Sequence, residues 1–139
     1  TYPVQLRFSD VDQLGHVNNS VYFSLYDLGK TAYMRDVLGE RVDYRRTSMV
    51  VANLNANFFA PVFFTDRLAI ETSTVHLGNK SFVLWQRAVC EDSGEVKCEC
   101  RTVMVAFDVE TQQAIPIPQA WKEAIARFEG TTVEALSDE

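Results

Sequence analysis

Asp10-Val11-Asp12-Gln13-Leu14-Gly15-His16-Val17-Asn18-Asn19-Ser20-Val21-Tyr22 joins two different hydrophobic patterns. Upstream, residues 2–8 alternate imperfectly and read as a strand that ends near Ser9-Asp10. Downstream, Val21, Leu25, Leu28 and Ala32 fall at i, i+4, i+7 and i+11, one stripe of a helix that runs to about Leu38-Gly39. A strand-to-helix connection needs one turn glycine and one capping side chain. Gly15 fills the first role, and Asn18, Asn19 and Ser20 are all good capping types. Asp12, His16 and a second asparagine exceed that structural need, so the chemistry is sought here.

Working outward, Phe23, Tyr26 and Met34 add apolar surface away from the helical stripe, which predicts a helix covered on more than one side. Residues 40–47 are polar and read as a connection. Four strand-like runs follow, at about 49–59, 67–77, 81–90 and 95–107. Gly78-Asn79 and Asp92-Ser93-Gly94 are turn signals between them. In the last run Lys97, Glu99 and Arg101 alternate with Cys98, Cys100 and Thr102, which predicts one wet face. After Ile115-Pro116-Ile117-Pro118 a short helix is expected over about 119–128, with a frayed tail from Gly130. Strands joined by tight turns are antiparallel, so the pattern specifies an α+β domain with one long helix against an antiparallel sheet. One domain over residues 1–129 and a tail over 130–139 are expected from the chain length of 139.

Composition narrows the function. The hydrophobic share of 47% is too high for a disordered chain and supports an ordinary core. Nineteen acids against 13 bases give a net charge of −6 with no basic block, which disfavours nucleic-acid binding. Cys90, Cys98 and Cys100 are odd in number and lack metal-ligand spacing; they read as reduced thiols of an intracellular, cytoplasmic protein. No apolar run approaches the roughly 18 residues of a membrane helix, and no signal peptide is visible.

A helix N-terminus presents unpaired N–H groups and a partial positive charge. Aimed at a carbonyl oxygen, such donors form an oxyanion hole. Asp12 lies seven residues before Asn19, and a turn at Leu14-Gly15 can fold its carboxylate back toward the helix start. That carboxylate would serve as nucleophile or as general base on water, a combination suited to acyl transfer. Asp10 competes with Asp12 for the role, and spacing does not separate them. His76, alone in a strand pattern, reads as structural or exposed.

The segment Arg7-Phe8-Ser9-Asp10-Val11-Asp12-Gln13-Leu14-Gly15-His16-Val17-Asn18-Asn19, with Tyr22, resembles the signature of hotdog-fold acyl-CoA thioesterases of the 4-hydroxybenzoyl-CoA type. His16-Val17-Asn18-Asn19 also resembles acyl-ACP thioesterases. The likeness extends through the long helix, the Gly78-Asn79-Lys80-Ser81 hairpin and Ile115-Pro116-Ile117-Pro118. It implies a hotdog fold, a five-stranded antiparallel sheet wrapped around one long helix, assembled as a homodimer or homotetramer with sites at the subunit interface. Carried over, Asp12 matches the catalytic carboxylate and Asn19 the residue whose N–H polarises the thioester carbonyl. His16 and Asn18 match motif positions that orient water, the Asp or the connection, and Ser81 with Lys80 matches the strand that approaches the Asp from the partner. The 4-hydroxybenzoyl-CoA enzymes lack a histidine at the position of His16, and the acyl-ACP enzymes carry Asn where this chain has Leu14. The acyl group therefore stays open.

The expected activity is hydrolysis of an acyl-CoA or acyl-ACP thioester to a free acid and a thiol. Asp12, His16 and Asn19 form the catalytic set; Asn18, Tyr22, Lys80 and Ser81 bind substrate. Phe58, Phe59, Phe63 and Phe64 are further acyl-pocket candidates, and Arg45-Arg46 with Lys80 are the local bases for phosphates. No metal and no cofactor is expected, coenzyme A being part of the substrate. Two alternatives stand beside this reading: a non-catalytic acyl-CoA sensor on the same fold, and a hydratase or dehydratase of enoyl or hydroxyacyl thioesters.

Overall fold

A computed structural model describes residues 1–39, 42–43 and 45–137. Its elements are β1 (Tyr2–Val4), α1 (Asn19–Leu38), β2 (Thr47–Phe58), β3 (Leu68–Leu77), β4 (Ser81–Cys90), β5 (Val96–Asp108), β6 (Gln113–Ala114), α2 (Gln119–Phe128) and α3 (Val133–Ser137). Glu40, Arg41 and Tyr44 of the expected connection lie outside the described residues, as do Asp138 and Glu139 of the expected tail. The sheet runs in the order β1-β3-β4-β5-β2, with two-residue β6 added beside β5. Hairpin connections make β3, β4 and β5 antiparallel neighbours, and β1 pairs antiparallel with β3. The start of β2 meets the end of β5 (Val109 N–H to Arg46 O), while its end meets the start of β5 (Phe59 N–H to Lys97 O), so that pair is antiparallel too. This is the expected α+β arrangement, five main strands and one long helix.

The chain groups into two compact units. One comprises Thr1–Tyr33, Ala56–Thr72 and Gln86–Cys100, and the other holds the remaining segments. Within the first, α1 lies directly on the sheet. A Cβ placed on Gly29 would stand 2.5 Å from Ile70 Cγ2, so glycine is what permits this approach. Buried Gln86 fastens the same contact, its Nε2 donating to Tyr26 O at 2.9 Å and to Thr72 Oγ1 at 3.1 Å. The buried side chains of α1 are Tyr22, Leu25, Tyr26, Lys30, Ala32, Tyr33, Met34, Val37 and Leu38. Leu28, expected in the buried stripe, is instead 48% exposed. Tyr22, Tyr26 and Tyr33 are buried in its place. In β5, Cys98, Cys100 and Thr102 are buried as the alternation predicts, but so is Lys97, whose Nζ meets Glu95 Oε1 at 2.6 Å.

The second unit is organised by α2, whose Trp121, Ala124, Ile125 and Ala126 are buried. Pro118 precedes its first residue and cannot prolong a helix backward. Just past its end, the Glu129 carboxylate accepts the Thr74 N–H of β3 at 3.0 Å. The tail expected to fray carries a helical turn, α3. β1 is also shorter than expected: after Val4 the chain leaves β3 and forms a single 3₁₀ turn at Phe8–Asp10.

Candidate active site

That early departure creates the site. Asp10 is buried, and both its carboxylate oxygens are occupied: Arg7 N–H donates to Oδ2 at 2.8 Å, and the Arg7 guanidinium donates to Oδ1 at 3.2 and 3.0 Å. Burial alone would raise its pKa, but the Arg7 N–H and guanidinium outweigh it and hold the carboxyl below its ordinary value. The backbone then doubles back. Val11 bridges Val17 antiparallel, and Asp12 N–H donates to His16 O at 2.9 Å. Gly15 N–H donates to Asp12 O at 3.0 Å, with Gly15 at φ +82°, a conformation that glycine adopts without strain. Asp12 uses one carboxylate oxygen, Oδ1, to accept Leu14 N–H at 2.9 Å. It is solvent-exposed, and its Oδ2 has no partner among the described residues. Of the two acids that spacing does not separate, only Asp12 keeps a carboxylate oxygen open to a reactant.

The loop delivers the chain into α1. Asn18 is its cap: Oδ1 accepts Ser20 N–H at 3.0 Å and the Ser20 hydroxyl at 2.8 Å, while its carbonyl accepts Val21 N–H. Asn19 N–H, at the first residue of the helix, has no hydrogen-bond partner among the described residues. It lies at the edge of a groove of about 300 Å³ lined by His16, Val17, Asn19, Tyr22, Phe58, Phe59, Ala60 and Pro61. Lys97 O anchors the far wall by accepting the N–H groups of both Phe59 and Ala60. Tyr22 packs edge-on against Phe58 with ring centroids 5.2 Å apart, and His16 meets Phe63 likewise at 5.3 Å. Burial, with the neighbouring Cys98 and Asp66, pushes the Tyr22 phenol up to about 12, so it stays a neutral wall. Deeper in, burial raises the Tyr26 phenol and lifts the Cys98 thiol to about 11. The arrangement offers an unpaired N–H donor, aromatic walls and a nearby open carboxylate.

A family model described as the Thioesterase-like superfamily matches residues 6–125. The chain belongs to that superfamily. Among its relatives, the long-chain acyl-CoA thioesterase FadM of Escherichia coli strain K12 is 24% identical over 126 residues, covering 90% of this chain and 96% of that protein. The 1,4-dihydroxy-2-naphthoyl-CoA hydrolase of Rippkaea orientalis is 26% identical over 127 residues, covering 86% and 89%. A thioesterase from Thermus thermophilus, solved with coenzyme A and Zn, superposes with a TM-score of 0.79 at 30% identity over 92% of each chain.

Of the residues expected to act in this superfamily member, His16, Asn19 and Tyr22 line the groove together. Asn18 caps the helix beneath it, and Asp12 sits on the preceding turn rather than in the lining. Lys80 and Ser81 stand in the β3–β4 hairpin, where Ser81 O accepts Gly78 N–H, and they are not part of this groove. Sequence flags Phe58 and Phe59; Val17, Ala60 and Pro61 carry no chemical group that could flag them. Arg45 and Arg46 line a different cleft of about 420 Å³ with Asp43, Asp108 and Glu110. There three carboxylates outnumber two guanidiniums, and Arg45 is already paired with Asp43 at 3.4 Å. Such a cleft is poorly suited to a polyphosphate. Among the described residues, no three His, Cys, Asp or Glu side chains come together as a metal ion would require. No described helix is long and apolar enough to cross a membrane.

Proposed function

We propose that this thioester hydrolase takes an acyl-CoA whose carbonyl oxygen is polarised by the Asn19 N–H and whose acyl group lies along Tyr22, Phe58 and Phe59. The observation that carries this reading is the unpaired Asn19 donor at the edge of an aromatic groove, with the open Asp12 carboxylate on the turn before it. The preorganised N–H stabilises the tetrahedral oxyanion. As general base, Asp12 takes a proton from water while the resulting hydroxide attacks the carbonyl carbon. The C–S bond then breaks, and the thiolate leaves and recovers a proton. As nucleophile, Asp12 forms a mixed anhydride that water opens to the same acid. His16 orients the reactants beside Phe63, and Asn18 fixes the helix start. No cofactor is required, since coenzyme A is part of the substrate.

Coenzyme A as the carrier is supported by the names of the relatives and by the coenzyme A-bound neighbour. An acyl carrier protein presents the same kind of thioester and is the second substrate class. A homodimer or higher homo-oligomer is supported by β2. This strand stands last in the sheet order, carries no charge over its 12 residues and exposes Val50 and Val51, features that invite pairing with another strand. In the assembly, the Lys80-Ser81 hairpin of a second copy would approach Asp12. A cytoplasmic location is supported by the three free thiols.

The test is thiol release from short, long, branched and aromatic acyl-CoAs, with Asp12→Asn alongside. Turnover of one class, reduced at least about a hundred-fold in the variant, is expected. A folded Asp12→Asn enzyme with most of its activity would remove Asp12 from the mechanism. Binding of acyl-CoA without turnover by the native chain would point to a sensor.

A further inference from the structure

The Arg7–Asp10 pair lies outside the groove and is not used by the chemistry above. We propose that Asp10, clamped by Arg7, is a positioning residue that sets where the Asn19 N–H donor stands. The inference rests on the functional reading just given.

Three observations lead there. First, Asp10 is a carboxylate at 1% exposure whose two oxygens are satisfied by Arg7, through backbone and guanidinium together. Burying a charge is costly unless its partners are complete, so a pair used only to close a turn would be replaceable by a simpler residue. Second, the turn that this pair closes (Asp10 N–H to Arg7 O, 2.9 Å) fixes the Asp10 peptide, and Asp10 O accepts the Asn18 N–H at 2.9 Å. That bond is the neck of the loop over residues 11–17, and it ties Asn18 N–H directly to the 3₁₀ turn. Third, Asn18 is the cap of α1, and the next N–H along the chain is the Asn19 donor. One residue separates the neck bond from the oxyanion site, and the Asn18–Asn19 peptide that carries the donor is a rigid plane. Arg7 itself is 71% exposed at its side chain, so its contribution runs through Asp10 rather than through packing of its own.

A displacement of about 1 Å at a reacting group costs on the order of a hundred-fold in rate. The pair should therefore act on kcat, with little effect on KM, because the acyl group lies along Tyr22, Phe58 and Phe59, none of which belongs to the loop that the pair anchors.

The experiment uses the full chain with Arg7→Ala, Arg7→Lys and Asp10→Asn. Each is assayed for kcat and KM on the best acyl-CoA and for amide hydrogen exchange at Asn18. Arg7→Ala is expected to lower kcat about tenfold or more with KM within about twofold, and to speed Asn18 exchange while β4 amides stay protected. Arg7→Lys should recover part of kcat. Should Asp10→Asn fail to fold, Arg7→Ala carries the test, because an exposed side chain is removed. An unchanged kcat in Arg7→Ala, or a fall shared equally by kcat and the folded fraction, overturns the proposal. Unchanged Asn18 exchange overturns it as well, whatever the activity. A native chain that hydrolyses no thioester overturns the functional reading instead, and the exchange data then judge the anchoring alone.

Discussion

Replacing Gly29 with alanine tests the contact that seats α1 on the sheet. The new methyl would meet Ile70 Cγ2 at 2.5 Å and Ile70 Cβ at 2.8 Å, with Gln86 Nε2 at 3.5 Å behind them. Carbon atoms prefer separations of about 3.5–4.0 Å, so the helix or β3 must give way by about 1 Å in a close-packed interior. Overpacking of this kind costs about 1–3 kcal/mol, and two overlaps on one β-branched side chain place Gly29→Ala at the upper end. Against that stands the gain of about 1 kcal/mol that alanine brings to a helix interior. The net expectation is a loss of about 2 kcal/mol, equivalent to a fall of about 5–8 °C in Tm for a chain of this size. Urea unfolding with an unchanged m-value is the assay. In an Ile70→Ala background the Cγ2 overlap is gone, so the penalty should shrink by about half or more. A Gly29→Ala protein as stable as the parent, or more stable, would refute the claim that glycine is needed for the close approach.

Asn18→Ala removes the cap of α1 and should lower stability by about 1 kcal/mol in the same urea assay; no loss would mean the cap bonds are idle. The Asp10 carboxyl has a folded pKa below its unfolded one. Its stabilisation is therefore present above the ordinary carboxylate range and is lost as pH falls through the lowered value. Arg7→Ala should accordingly unfold at higher pH than the parent in acid titrations followed by circular dichroism, and coincident curves would contradict the ion pair. Val51→Asp puts a charge on the exposed edge strand β2 and should shift the sedimenting mass toward one chain. A parent protein that already sediments as one chain, or a variant of unchanged mass, would exclude β2 as the pairing edge.

Sequence locates some elements to the residue because their ends are chemical. β4 begins after Gly78-Asn79-Lys80, and α2 begins after Pro118 and runs its expected length. The alternating pattern overextends β1 because alternation cannot register a side chain that closes a turn; Arg7 and Asp10 draw the chain away from β3 at a point where the pattern still looks strand-like. Periodicity places the helical stripe on Leu28 because leucine outranks tyrosine in hydrophobicity. The residues buried instead include Tyr22, Tyr26 and Tyr33. Lys97 shows the same limit in reverse, since a charge alternating outward is buried once Glu95 supplies a partner. The near side of the groove is legible because His16, Asn19 and Tyr22 sit within seven residues. The far side comes from residues 58–61, brought there by long-range pairing: Phe59 and Ala60 N–H donate to Lys97 O, and Val17 N–H donates to Val62 O. The choice between Asp10 and Asp12 needs three dimensions, because it turns on which carboxylate has spent its oxygens.

The bond from Glu129 to Thr74 guards an open edge of the sheet. Three-residue β1 covers β3 only at Leu68, Ala69 and Ile70, so among the described residues the outer edge of β3 from 71 to 77 has no strand beside it. The carboxylate at the end of α2 occupies one donor in that gap and places a negative charge where another strand would dock. The C-terminal end of α2 thus works as a stopper against edge-to-edge growth. Glu129→Ala, which keeps the buried face of α2, would be expected to aggregate more readily than the parent.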